Sequence, residues 1–105
     1  MADFKKEHLA EEIRARVSDF FGRESNATSL ITVTRVDLSE DLKNATVNLS
    51  VFPENKQQEV RHFAIRHLTE LREYLMKHTK IGRIPFLKVE IDKGEALLER
   101  MNQLL

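Results

Sequence analysis

Apolar residues recur every three or four positions from Leu9 through Ile13 and Val17 to Phe20 and Phe21. That spacing predicts an amphipathic helix over residues 4–21, with Asp3 as its N-cap and Gly22 as its stop. A polar stretch over 23–29 reads as a loop. Residues 30–38 are β-branched and predict a strand whose alternation is imperfect. Ile31 and Val33 share one phase, while Leu30, Val36 and Leu38 share the other. A bulge or partial burial of both faces accounts for that switch. Residues 45–52 alternate cleanly: Ala45, Val47, Leu49 and Val51 face one way, Thr46, Asn48 and Ser50 the other. The turn residues Ser39, Asp41 and Asn44 join the two strands into an antiparallel hairpin.

Pro53 marks a helix start, and Val60, Phe63, Ala64, His67, Leu68, Leu71 and Leu75 form an apolar stripe from there to His78. One long helix over 53–78 is therefore expected. Residues 79–85 read as a loop. Residues 86–92 predict a third strand with Leu87, Val89 and Ile91 inward and Lys88 and Glu90 outward. A short helix from Gly94 would carry Leu97, Leu98, Met101, Leu104 and Leu105. The order is helix, strand, strand, helix, strand, helix. It describes an α+β fold with helices on one face of a three-stranded sheet.

A chain of 105 residues with 41% hydrophobic and 32% charged residues has the balance of a single globular domain. It contains no cysteine, which removes disulfides, thiol catalysis and thiolate metal sites. No apolar run approaches the ~20 residues that span a bilayer, and no apolar stretch follows Lys5 and Lys6 as a secretory signal would require. The cytoplasm is the expected location, with no membrane partner.

The formal net charge is zero, with 17 basic and 17 acidic residues, yet the distribution is uneven. Residues 53–88 hold eight Lys and Arg against four acids. Within that segment Arg72, Lys77, Lys80, Arg83 and Lys88 stand against Glu73 alone between positions 72 and 88. Lys77 and His78 complement the dipole of the helix they end, but that does not account for Lys80, Arg83 and Lys88. Long cations on a loop and an outer strand face suit phosphate oxygens. A solvated charged face with no partner explains the charge equally well; on the RNA-binding reading Arg72, Lys77, Lys80, Arg83 and Lys88 are the expected contacts, with Lys5, Lys6 and Arg35 as weaker ones. Phe86 and Tyr74 are the aromatics near this segment, and recognition of folded RNA through backbone and shape fits better than base stacking.

Signals for catalysis are weak. The three glycines are far apart and build no phosphate-cradling loop. His8, His62, His67 and His78 lack metal-ligand spacing, and His67 on the apolar stripe reads as a structural histidine. Asp37, Glu40 and Asp41 flank the hairpin turn, where turn conformation alone favours them. No catalytic residue, metal, cofactor or small-molecule substrate is expected. A protein-interaction module that never touches RNA, using the final helix or a sheet edge, is the alternative reading.

Residues 31–52 resemble the hairpin of bacterial ribosome-binding factor A. That family's pattern V-T-x-V-x-x-S-x-D-L-x-x-A-x-V-x-x-S is met by Val33, Thr34, Val36, Ser39, Asp41, Leu42, Ala45, Val47 and Ser50. Ile84, Pro85, Phe86 and Leu87, running into Val89 and Asp92, resemble its V-P-x-L segment, and residues 95–105 resemble its terminal helix. The resemblance implies a type II KH-like fold forming one ribosome-binding domain over residues 1–105. It also implies a non-catalytic role in late maturation of the small (30S) subunit through its 16S rRNA, most needed in the cold. We expect a monomer. Family members kink the long helix at a small-residue Ala-x-Gly element. Here His67, Leu68 and Thr69 occupy that place, which leaves a straight helix and a differently made kink both open.

Overall fold

The computed structural model describes residues 2–23 and 30–92, so the helix expected from Gly94 lies outside the described residues. Helix α1 (Ala2–Gly22) is followed by strands β1 (Leu30–Leu38) and β2 (Asn44–Phe52). A 3-10 turn (Glu54–Lys56), helices α2 (Gln57–Arg66) and α3 (Leu68–His78), and strand β3 (Phe86–Ile91) complete the described chain. The helices cover one face of a three-stranded sheet ordered β1-β2-β3. This is the type II KH-like arrangement that the resemblance implies.

Helix α1 starts at Ala2, so Asp3 lies inside its first turn rather than capping it. Ile13, Val17 and Phe21, spaced by one helical turn, are fully buried against β1. Each such side chain contributes about 1.5–3 kcal/mol on leaving water. The phase switch in β1 is a bulge: the register against β2 shifts between Val33 and Arg35. The extra residue brings Ile31, Val33, Val36 and Leu38 all into the core. Thr34 Oγ1 donates to the Asn48 carbonyl (3.1 Å) where the bulge interrupts the ladder. Asn48 points outward as expected yet is buried, and its amide donates to Asp37 (3.0 Å).

The single helix expected over 53–78 is broken at His67, where the backbone leaves helical geometry at φ −107° and ψ 15°. The His67 N–H is shared between the carbonyls of Phe63 (3.1 Å) and Ala64 (3.2 Å), a tightening that interrupts the i to i−4 series. The His67 ring stacks on Phe63 with centroids 4.1 Å apart. Its Nδ1 lies 2.8 Å from the Phe63 carbonyl, so the tautomer carrying Nδ1–H donates there. The kink is thus made without glycine. It lets α2 pack on β3 while α3 packs on α1.

Strand β3 runs parallel to β2, from Asn44 opposite Phe86 to Leu49 opposite Ile91. A parallel neighbour requires a crossover, and α2 and α3 supply it. The hairpin turn sets where β3 begins. Ser39 Oγ donates to Asp41 Oδ1 (2.6 Å), and that same oxygen accepts the Lys43 N–H (3.0 Å). Ser39 Oγ in turn accepts the Asn44 N–H (3.0 Å). Leu42 adopts φ 61°, the left-handed region, with its side chain packed at the margin of the core. The turn presents the Lys43 carbonyl to the Phe86 N–H (2.8 Å), the first bond holding β3. From the other side, Arg72 Nη1 donates to the Pro85 carbonyl (2.8 Å). Thr79 closes α3 by donating from both N–H (3.0 Å) and Oγ1 (2.6 Å) to Leu75.

Arg72→Met deprives the Pro85 carbonyl of a charge-assisted donor, so it should destabilise the fold by about 1–2 kcal/mol in urea denaturation. Lys80→Ala on the exposed loop should stay within about 0.5 kcal/mol. The Ser39 hydroxyl, first, and the Lys43 N–H then hold the Asp41 carboxyl below its ordinary value of 3.8. A carboxylate lowered in the folded state stabilises above the unfolded pKa and ceases to do so as pH falls through the folded one. The stability difference between wild type and Asp41→Asn should therefore be full above 3.8 and disappear on acidification below it. Denaturant titrations repeated from neutral pH down to about pH 2 would measure this.

Candidate nucleic-acid interface

The end of α3, the loop 79–85 and the hairpin turn enclose a cleft of about 500 Å³. Lys43, Arg72 and Arg83 stand on its walls, and among the described residues no carboxylate does. Phe86 forms one side of it. The same ring borders a second hollow of about 410 Å³ between α2 and β3, lined by Arg61 and Lys88 and again by no described carboxylate. A third hollow, about 540 Å³ along α1, is lined by Glu7, Glu11 and Glu12. Positive and negative side chains thus line different hollows of a chain whose total charge is zero.

The eight cations singled out from sequence are not equivalent. Lys77, Lys80 and Arg83 lie at the end of α3 and on the loop after it, and among the described residues no carboxylate lies within ion-pair distance of them. Arg72 is half-buried and already bonded to Pro85. Lys88 pairs with Glu90 (3.1 Å) on the outer sheet face. Arg35 pairs with Asp37 (3.0 Å) on β1, the sheet edge away from β3. Lys6 reaches Glu40 of the hairpin turn (3.0 Å), and Lys5 is exposed on α1. Exposed pairs of this kind contribute about 0–1 kcal/mol each, but they cancel one another's field. The outer sheet face is therefore close to neutral, whereas the loop after α3 is not.

Two cations in the hollows, Lys43 and Arg61, were not among those expected. Neither belongs to a charge run. Lys43 becomes legible only through its place in the turn that seats β3. Of the two nearby aromatics, Tyr74 is taken up by α1: Phe20 packs edge-on to it (5.7 Å) and the Arg23 guanidinium lies over its ring (5.4 Å). Phe86 is 76% exposed. Met76, on the wall of the cleft, is also exposed.

The sequence model of one family, Ribosome-binding factor A, matches residues 5–105. Ribosome-binding factor A of Natranaerobius thermophilus is 32% identical over 108 residues, spanning 100% of this chain and 82% of that protein. Its counterpart in Fervidobacterium nodosum is 30% identical over 98% of this chain and 87% of that protein. The crystal structure of ribosome-binding factor A from Thermus thermophilus shares the fold, with a TM-score of 0.72 at 22% identity over 82% of this chain and 93% of that one. The matched span takes in the end of α3, the loop 79–85, the hairpin turn and the start of β3 that build the cleft, and the chain belongs to the ribosome-binding factor A family.

Proposed function

We propose that this chain binds the immature small (30S) ribosomal subunit through its 16S rRNA and assists late maturation without catalysing a reaction. It acts in the cytoplasm as a single KH-like ribosome-binding domain. The observation that carries the reading is the pair of hollows flanking Phe86, lined among the described residues by five cations and no carboxylate, in a member of a ribosome-binding family. A surface of one sign concentrates the field that a polyanion feels, even when the whole molecule is neutral. Lys77, Lys80 and Arg83 are the primary phosphate contacts, because no described carboxylate competes for them. Arg72 extends the patch, and Lys88, Lys5, Lys6 and Arg35 contribute less, since Lys88, Lys6 and Arg35 are already paired.

Neutralising about five phosphates makes log K fall against log salt with a slope of roughly −3.5 to −4.5. The wild-type protein should sediment with immature small subunits at low salt and leave them as salt rises. Lys80→Glu combined with Arg83→Glu should make that slope shallower by about 1.4 to 1.8 and abolish co-sedimentation near about 0.15 M salt, with the fold intact by circular dichroism. Undiminished association of the double variant would overturn the reading.

A further inference from the structure

Phe86 combines three properties that a scattered surface hydrophobic does not. Its ring is 76% exposed. Its backbone is fixed: the N–H is bonded to Lys43, the preceding Pro85 is fully buried, and the Pro85 carbonyl is held by Arg72. The ring also stands between two hollows whose described charged lining is entirely cationic, Lys43, Arg72 and Arg83 on one side and Arg61 and Lys88 on the other. Phe52, the other strongly exposed phenylalanine among the described residues, provides a contrast. It ends β2 opposite the exposed Leu30, and neither hollow includes it.

An exposed aromatic ring on a fixed backbone, flanked by cations, suits a ligand that is flat and apolar at one end and anionic at the other. An unpaired nucleotide has that form: the base covers the ring while its flanking phosphates meet the cations. A helical RNA keeps its bases stacked inside and offers no such face. We propose that Phe86 is a stacking platform for an unpaired RNA base, with Lys43 and Arg83 holding the adjoining phosphates. This rests on the ribosomal RNA reading above and specifies the RNA as locally single-stranded at this point. It revises the expectation that backbone and shape alone are recognised. Pre-fixing the backbone matters here, because a platform that need not be ordered on binding loses less of the stacking energy.

The chain contains no tryptophan, so Phe86→Trp places a single reporter at the platform. The probes are an unstructured oligoadenylate of about 12 nucleotides, an RNA duplex of equal length and immature small subunits. Phe86→Trp should bind the oligoadenylate at least as tightly as wild type, with its fluorescence quenched on binding. Phe86→Ala and Phe86→Leu should each bind it about tenfold more weakly, with the salt slope unchanged because no phosphate contact is lost. Their affinity for the duplex and their thermal stability should match wild type. If wild type binds oligoadenylate and subunits but Phe86→Ala binds both equally well, stacking is refuted and the phosphate contacts stand. If Phe86→Ala loses subunits while keeping the oligoadenylate, or Phe86→Leu behaves as wild type, Phe86 contacts a ribosomal protein and the inference fails. If wild type binds neither RNA nor subunits at low salt, the ribosomal RNA reading itself falls.

Discussion

The Phe86 N–H bonded to the Lys43 carbonyl joins the two parts of the chain on which the cationic face depends. On one side is the hairpin turn, a closed set of hydrogen bonds among Ser39, Asp41, Lys43 and Asn44. On the other is the start of a parallel edge strand that the chain reaches only after two helices and a loop. Seating β3 at this point fixes the register from Phe86 to Ile91 and sends Leu87 and Val89 into the core. The same seat brings Lys43 beside Arg72 and Arg83, three residues far apart in sequence. Fold stability and the candidate interface therefore share one constraint. The Ser and Asp of the hairpin pattern serve as turn closures rather than as chemistry.

Charge in this molecule works by arrangement rather than by excess. Ion pairs occupy the outer sheet face through Arg35 with Asp37 and Lys88 with Glu90, and α1 through Glu11 with Arg14. Bonding to Arg14 holds the Glu11 carboxyl below its usual range and raises the Arg14 pKa in return. The loop after α3 has cations without such partners among the described residues. Because the Debye length is about 8 Å at physiological salt, an anionic partner responds to the sign of the nearest surface, not to the sum over the chain.

Much of this was legible in the sequence, for physical reasons that also explain the rest. Alternation located β1 and β2, and the phase switch at Val36 pointed to a bulge or to burial of both faces, because side chains on a strand have only two directions. Helical spacing alone left the break at His67 undecided, since Ala64, Leu68, Leu71 and Leu75 keep their spacing across a single distorted residue, and only the family resemblance marked the place where a kink was open. The parallel pairing of β2 with β3 was hidden: alternation identifies a strand's faces but not its neighbour. At the candidate interface a run of like charge in sequence exposed Lys77, Lys80 and Arg83. It could not separate them from Lys88, whose neutralising Glu90 lies two positions along the same strand face, nor reveal Lys43 and Arg61, which only tertiary structure brings in.

Hydrogen exchange of the protein, free and bound to immature small subunits, tests the central claim most directly. The account predicts new protection around residues 42–44 and 76–88, where the hairpin turn, the end of α3 and the start of β3 meet, and none along the glutamate-lined side of α1. Protection centred on residues 7–15 of α1, with the loop after α3 exchanging as in the free protein, would contradict it.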